Sequence, residues 1–258
     1  MGNDQIMQRK IVLNVSNLRK TYLDSNHEVL NGVSLKIYEE DFLCVLGPSG
    51  CGKSTIIRCI AGFEKYDGII ECNGQKVTKP GTDRVMVFQD FAQLFPWKTV
   101  EGNITYPLKV NGMSDKTERK RVAGEYLNIV DLNEFRNFYP HQLSGGMKQR
   151  VAIARGLALQ PRLILMDEPF ASLDAISRNQ MQAEVTRIKE KTHMTVIFIT
   201  HNIQEAISLG NRIVVMSKNG EIREEVTNSL EKPVTPATKG YGELWMYLNT
   251  LLNEEQKQ

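Results

Sequence analysis

Gly47-Pro48-Ser49-Gly50-Cys51-Gly52-Lys53-Ser54-Thr55 is the segment that says most about the fold of this chain. It fits the pattern G-x-x-x-x-G-K-[ST], follows the apolar run FLCVL of residues 42–46, and leads into a helix-like segment. Glycines allow backbone turns with positive φ, so that successive N–H groups and the helix N-terminus point at one anion. Lys53 adds a full positive charge, and the hydroxyl of Ser54 suits Mg²⁺. The sequence therefore predicts a strand–loop–helix phosphate site.

A second motif places two carboxylates after an apolar run. Asp167 and Glu168 follow the residues LILM at 163–166, which read as a buried strand. Carboxylates at the carboxyl end of such a strand lie at the sheet edge where ligands bind. Asp167 is predicted to be a Mg²⁺ ligand, and Glu168 is predicted to polarise the water that attacks a γ-phosphate. The alternative is an acidic pair that caps a following helix.

The apolar runs predict an α/β fold, and the phosphate-loop motif between a strand and a helix indicates that it is of the P-loop NTPase kind. Its core is expected to be a mostly parallel sheet, joined by an antiparallel β subdomain with a hairpin turn at Asn73-Gly74 and interrupted by a helical subdomain. We expect one domain over residues 1–258. Within it we expect a core at 11–89 and 160–226, a helical subdomain at about 90–159 and a helical tail at 227–258. The prediction rests on β-rich runs at 11–15, 33–37, 195–200 and 212–217 and on a helical pattern from about 114 to 159.

Composition narrows the function classes. Of 258 residues 41% are hydrophobic, which excludes a disordered chain. The formal net charge of +2 is too small to indicate nucleic acid as the main partner. No apolar run approaches the roughly 18 residues of a membrane span. The four cysteines, Cys44, Cys51, Cys59 and Cys72, form no CxxC pair and are expected to be reduced thiols.

The segment of residues 143–150, LSGGMKQR, resembles the signature motif of the ATPase subunits of ABC transporters, with Met147 in place of the common Gln. Ser144, Gly145 and Gly146 before a helix form a second anion-binding terminus. The alternative is an N-cap turn without a ligand. The resemblance extends from about residue 11 to 226 and implies ATP and Mg²⁺ as cofactors.

The resemblance also assigns roles to single residues. Tyr22 matches the aromatic that stacks on adenine, and Gln89 matches the glutamine that contacts Mg²⁺ and water. Asp174 ends the segment ASLD of residues 171–174, which looks like the loop that crosses the dimer interface, and His201 looks like the histidine that contacts the γ-phosphate. Without the resemblance, Tyr22 would be an ordinary edge tyrosine and His201 a structural histidine. Each motif occurs once, so the resemblance implies a head-to-tail homodimer in which Ser144 of one copy caps the γ-phosphate held by Lys53 of the other.

Two segments indicate the type of transporter. Residues 88–100 and 168–178 are similar to importers of nitrate, sulfonates, taurine and thiamine precursors. The apolar stretch from Phe91 to Trp97 is predicted to form a groove for a coupling helix of the permease, the alternative being a local core under the helical block. The implied partners are two transmembrane permease subunits and an extracytoplasmic solute-binding protein, with the chain peripheral on the cytoplasmic face of the membrane.

Three other function classes compete with this interpretation. Soluble ABC ATPases of DNA repair, chromosome structure or translation share the core, but they carry a long coiled-coil insertion or two cassettes. P-loop kinases and GTPases do not need residues 143–150, and no N-K-x-D motif occurs. Exporters often fuse the cassette to membrane helices, whereas no apolar run of this sequence approaches the length of a membrane span.

Overall fold

The computed structural model describes residues 9–22, 27–88, 93–171 and 173–254. Contacts divide the chain into two compact units. The first takes the described residues up to Pro80 and from Met194 onward, and the second runs from Gly81 to His193. In chain order the elements are β1 (Ile11–Tyr22), β2 (His27–Tyr38), β3 (Phe42–Leu46), α1 (Lys53–Ala61), β4 (Asp67–Cys72), β5 (Gln75–Lys76), β6 (Arg84–Val87), α2 (Val100–Val110), α3 (Lys116–Ile129), α4 (Gly145–Leu157), β7 (Leu163–Asp167), α5 (Ala175–Thr192), β8 (Val196–Ile199), α6 (Ile203–Leu209), β9 (Arg212–Met216), β10 (Ile222–Thr227) and α7 (Tyr241–Glu254).

The first unit contains an antiparallel sheet in the order β2-β1-β4-β5. Val15 of β1 lies opposite Leu35 of β2 and Ile70 of β4, and all three side chains are buried. The predicted hairpin at Asn73-Gly74 is confirmed, with positive φ at both residues. Strands β1 and β2 are longer than predicted, because β1 shifts register between Val15 and Leu18 and the shift breaks the alternation of apolar residues.

The same unit holds the parallel strands that the apolar runs predicted. Strand β3 pairs in parallel with β8 on one side and β9 on the other, and β10 pairs antiparallel with β9. Every residue of β3 is buried, which explains its continuous apolar sequence. Helix α1 buries Ile56, Ile57 and Ile60. The four cysteines are buried thiols, and burial raises the pKa of Cys59 to about 12, so this thiol stays protonated.

The second unit combines a parallel strand pair with packed helices. Strands β6 and β7 run in parallel with Val85 opposite Ile164, and helices α2, α3 and α4 pack on one another. The helical subdomain was expected at about 90–159, but the sequence pattern identified helices only from about residue 114. Helix α2 was therefore not recognised, since it contains Gly102 and Pro107, both poor helix formers. Packing overrides this propensity, because α2 buries a stripe of residues four apart and is capped at Thr99. Among the described residues no helix combines the length and apolarity that a bilayer crossing needs.

Candidate functional site

The phosphate loop of the first unit joins β3 to α1 and is closely packed. Gly52 is the N-cap of α1 and has a φ of 97°. A Cβ at Gly52 would lie 2.6 Å from Leu30 Cδ2 and 2.8 Å from Val29 O, and a Cβ at Gly47 would lie 2.7 Å from Cys51 Sγ. The loop therefore requires glycine at both positions. Because Gly52 has no side chain to cap α1, the first N–H groups of this helix remain suited to an anion.

Lys53 places its charge within this loop. The residue is 6% exposed, and its Nζ donates hydrogen bonds to Gly47 O at 2.8 Å and Pro48 O at 2.7 Å. Two loop carbonyls thus hold the ammonium group beside the helix N-terminus. Such a charge is worth about 4 kcal/mol at 4 Å from a unit negative charge near a protein surface. Ser54 and Thr55 follow in the first turn of α1 and are half-buried. This arrangement favours a polyphosphate chain.

The acidic pair lies in the second unit, at the end of β7. Asp167 is the last residue of the strand, Glu168 follows it, and both are half-buried. Glu168 has a φ of 43°, a left-handed conformation that costs a non-glycine residue energy and is enriched at active sites. The next helix, α5, begins at Ala175 and is capped by Asp174. The alternative that the acidic pair caps a helix is therefore wrong.

Two helix N-termini of the second unit open onto one cavity of about 430 Å³. Ser144 is exposed and caps α4 by accepting a hydrogen bond from Met147 N at 3.3 Å. Asp174 caps α5 by accepting from the N–H groups of Ile176 and Ser177 at 3.0 Å. Hydrogen bonds from Ser177, the hydroxyl first, lower the pKa of Asp174, so its carboxylate stays ionised. The other lining residues are Gly145, Gly146, Arg150, Leu173, Gln180, Met181 and Glu184.

His201 lies in the first unit, two residues after the end of β8. Its side chain is exposed, while the residue before it, Thr200, is buried. Thr200 Oγ1 donates to the buried Glu205 at 2.5 Å and accepts from Asn202 N at 3.0 Å. Asn202 in turn caps α6. These bonds fix the backbone on both sides of His201, so the imidazole is presented from a rigid turn.

Tyr22 is the last residue of β1 and is half-buried. Lys20, two residues earlier, places its Nζ 4.7 Å from the centre of the Tyr22 ring, within the range of a cation–π contact. Sequence analysis missed Lys20. The signal was present, because residues two apart on a strand point to the same face.

The predicted site residues are divided between the two units. The first unit carries Tyr22, the phosphate loop and His201, and the second carries Asp167, Glu168, Ser144, Gly145, Gly146 and Asp174. Gln89, Phe91 and Ser172 lie outside the described residues. The roles of all these residues remain predictions.

An aromatic patch, defined as Phe95, Trp97 and Tyr106, covers part of the second unit. The Phe95 ring lies 5.8 Å from the Trp97 ring and 5.2 Å from the Tyr106 ring, and Trp97 is 71% exposed. Asn103 holds this segment from below, with Nδ2 donating to the backbone oxygens of Phe95, Lys98 and Thr99. Leu94 was predicted to belong to the exposed groove. It is only 3% exposed, because it packs into the core, and the patch begins at Phe95.

Comparisons with known proteins agree on one family. The family model described as "ABC transporter" matches residues 30–171. The aliphatic sulfonates import ATP-binding protein SsuB of Bacillus thuringiensis subsp. konkukian is 42% identical over 219 residues, which cover 84% of this chain and 85% of the relative. The nitrate import ATP-binding protein NrtD of Synechocystis is 42% identical over 234 residues, 89% of this chain and 87% of the relative.

A solved structure agrees with these relatives. It is the dimeric, post-hydrolysis state of an ATP-binding cassette bound to ADP and Pi. It superimposes with a TM-score of 0.71 at 34% identity, covering 83% of this chain and 98% of the solved one. The predicted fold class is thereby confirmed.

Proposed function

The chain belongs to the family of ABC transporter ATP-binding proteins, and we propose that it is the ATP-hydrolysing subunit of an importer for a small anionic solute. The observation that carries the proposal is the phosphate loop of residues 47–55. Its backbone closes around the ammonium group of Lys53 at the uncapped N-terminus of α1. A site of this kind recognises a polyphosphate through backbone N–H groups and one fixed charge.

ATP binds to this loop through its β- and γ-phosphates. The ring of Tyr22 stacks on the adenine, a contact worth about 1–3 kcal/mol per base. Mg²⁺ prefers hard oxygen ligands. The hydroxyl of Ser54 and the half-buried carboxylate of Asp167 are donors of that type, and Gln89 adds an amide oxygen. The residues therefore fit the ion, which neutralises phosphate charge when bound.

Hydrolysis requires a base for the attacking water. Glu168 accepts the proton of this water while the water oxygen forms a bond to the γ-phosphorus. The bond between the γ-phosphorus and the bridging oxygen breaks, and its electron pair leaves with ADP. His201 donates a hydrogen bond to the γ-phosphate, and Gln89 orients the water. Glu168 holds a left-handed backbone conformation of the kind that is enriched at active sites.

A second copy completes each nucleotide pocket. Ser144 caps α4 with a lone pair of its hydroxyl, so its hydrogen remains to be donated to a γ-phosphate oxygen. The cavity at α4 and α5 gives this phosphate room. The dimeric state of the solved relative with ADP and Pi supports this arrangement. ATP then closes the dimer, and release of products opens it.

The aromatic patch binds a coupling helix of the permease. Exposed aromatic residues held by a rigid backbone are typical of protein interfaces, and Asn103 supplies the rigidity with four hydrogen bonds to the segment. The chain then lies on the cytoplasmic face of the membrane, where two permease subunits and an extracytoplasmic solute-binding protein complete the complex. The sulfonate and nitrate importers among the relatives support an anionic solute.

Replacing Trp97 with Ala tests this function. We expect the tagged chain to co-purify from membranes with a hydrophobic integral subunit, and we expect Trp97→Ala to reduce the amount recovered at least ~10-fold, because an interface aromatic contributes ~2 kcal/mol or more. ATP hydrolysis by the detached chain should change little. Phe63→Ala removes another exposed aromatic, 52% exposed, from the first unit and serves as the matched control. Full recovery of the Trp97→Ala complex with coupled ATP-driven uptake would contradict the docking role.

A further inference from the structure

We propose that Lys20 is a positioning residue for the adenine base. Its ammonium group holds the ring of Tyr22, the base platform on which adenine stacks, and connects this platform to α1. The inference rests on the proposed function, since it assumes that Tyr22 stacks on the base of ATP, and it adds a residue to that site. All the residues involved lie in the first unit.

The contact between Lys20 and Tyr22 follows from the strand. Both residues lie on β1, two positions apart, so their side chains leave the same face of the sheet. The Lys20 Nζ lies 4.7 Å from the ring centre, where the negative face of the aromatic ring attracts a cation. A cation on one face draws electron density away from the other, which favours stacking with an electron-rich base there. The same contact restricts the rotamers of Tyr22.

Three partners fix the ammonium group itself. Lys20 is 9% exposed, and lysines are rarely buried without partners. Its Nζ donates to Lys65 O at 2.8 Å and lies 3.1 Å from Glu64 Oε2, and the Tyr22 ring is the third neighbour. An ammonium group has three N–H bonds, so each is matched by one of these partners. The charge cannot move away from the ring without losing a hydrogen bond.

The tether connects the base platform to the phosphate site. Glu64 and Lys65 follow the end of α1, which stops at Ala61 with Gly62 as its C-cap. The N-terminus of the same helix follows directly on the phosphate loop, with Gly52 as its N-cap. Lys20 therefore fixes the ring of Tyr22 relative to a rigid helix whose other end holds the phosphates. It acts on the part of ATP that carries the base and leaves the triphosphate subsite unchanged.

The test compares the affinities for ATP and for inorganic tripolyphosphate, which lacks the base. We expect Lys20→Met to weaken ATP binding about 10-fold, equivalent to ~1.4 kcal/mol, and to leave tripolyphosphate binding unchanged. Lys20→Arg keeps a cation over the ring and should restore ATP affinity to within about twofold of the starting protein. Lys36→Met, the same substitution at an exposed position of β2, is the matched control and should change neither affinity.

A double-mutant cycle with Tyr22→Ala decides whether Lys20 acts through the ring. Because Lys20 has no ring to position once Tyr22 is gone, the double variant should bind ATP as Tyr22→Ala does. An additional 10-fold loss in the double variant, or an equal loss of tripolyphosphate binding in Lys20→Met, would overturn the proposal. Thermal unfolding shows whether Lys20→Met is folded at the temperature of the binding assay. If it is not, the comparison of Lys20→Arg with the unaltered protein still tests the proposal. If Tyr22→Ala keeps full ATP affinity, the assumption that Tyr22 stacks on the base is wrong. If the unaltered protein does not bind tripolyphosphate, the proposed phosphate site is wrong.

Discussion

Replacing Glu168 with Gln should slow ATP hydrolysis by about 10²- to 10⁴-fold, the usual share of a general base. The amide of Gln has nearly the volume of the carboxylate but does not accept the proton of the attacking water. ATP should still bind, because the phosphate loop lies in the other unit and is unchanged. The variant is therefore expected to accumulate as a dimer that retains ATP, measured by gel filtration with labelled nucleotide.

The matched control is Glu190→Gln, which makes the same substitution at an exposed position of α5 in the same unit. It should hydrolyse ATP at the rate of the unaltered protein. Turnover by Glu168→Gln within about twofold of the unaltered protein would remove Glu168 from the role of base and leave its left-handed backbone without a catalytic reason.

Replacing Ser144 with Arg should abolish hydrolysis while leaving ATP binding to the single chain intact. The long cationic side chain enters the cavity at the N-terminus of α4, where a second copy is proposed to bring its γ-phosphate. The change also removes the N-cap, which costs about 0.5–2 kcal/mol of stability and does not touch the phosphate loop. Hydrolysis and equilibrium binding of ATP to the monomer, measured in parallel, separate these effects.

Asp115→Arg controls for the lost cap. Asp115 caps α3 by accepting from Thr117 N at 2.8 Å, and its replacement removes an N-cap elsewhere in the same unit. It should keep hydrolysis at the temperatures where it is folded. A loss of ATP binding by the Ser144→Arg monomer would contradict the assignment of Ser144 to the pocket of the other copy.

The local parts of the site were predictable from the sequence. The phosphate loop needs glycine at positions 47 and 52 because a Cβ would clash there. Glycines in such a motif therefore indicate a tight turn before the structure is known. The apolar runs of β8 and β9 likewise predicted parallel strands that are buried on both faces. Ser144 could be recognised as an N-cap because serine before a helical pattern is a preferred capping residue.

Features that depend on tertiary contacts were not predictable. Helix α2 contains Pro107 and was missed, because burial of one face outweighs its poor intrinsic propensity. Leu94 was expected at the surface, since the sequence does not say which side of a short apolar segment faces the core. The tether from Lys20 to Glu64 and Lys65 joins residues more than forty positions apart, and no local pattern specifies it.

The roles of Tyr22 and His201 came from the resemblance alone. A single aromatic or histidine after a strand occurs in many proteins for structural reasons, so spacing does not identify its ligand. The structure adds the Lys20 contact on the Tyr22 ring and the rigid turn that presents His201. These contacts give each residue a defined position from which its predicted role can be tested.

Hydrolysis by purified heterodimers tests most directly whether each pocket is shared between two copies. Pairing a Lys53→Met chain with a Ser144→Arg chain leaves one complete pocket if Lys53 and Ser144 act in opposite copies, so activity should return although neither homodimer hydrolyses ATP. Pairing the double variant with an unaltered chain should then leave no complete pocket and no activity. The reverse order, with activity only in the second pair, would show that one chain encloses the triphosphate by itself and would contradict the account.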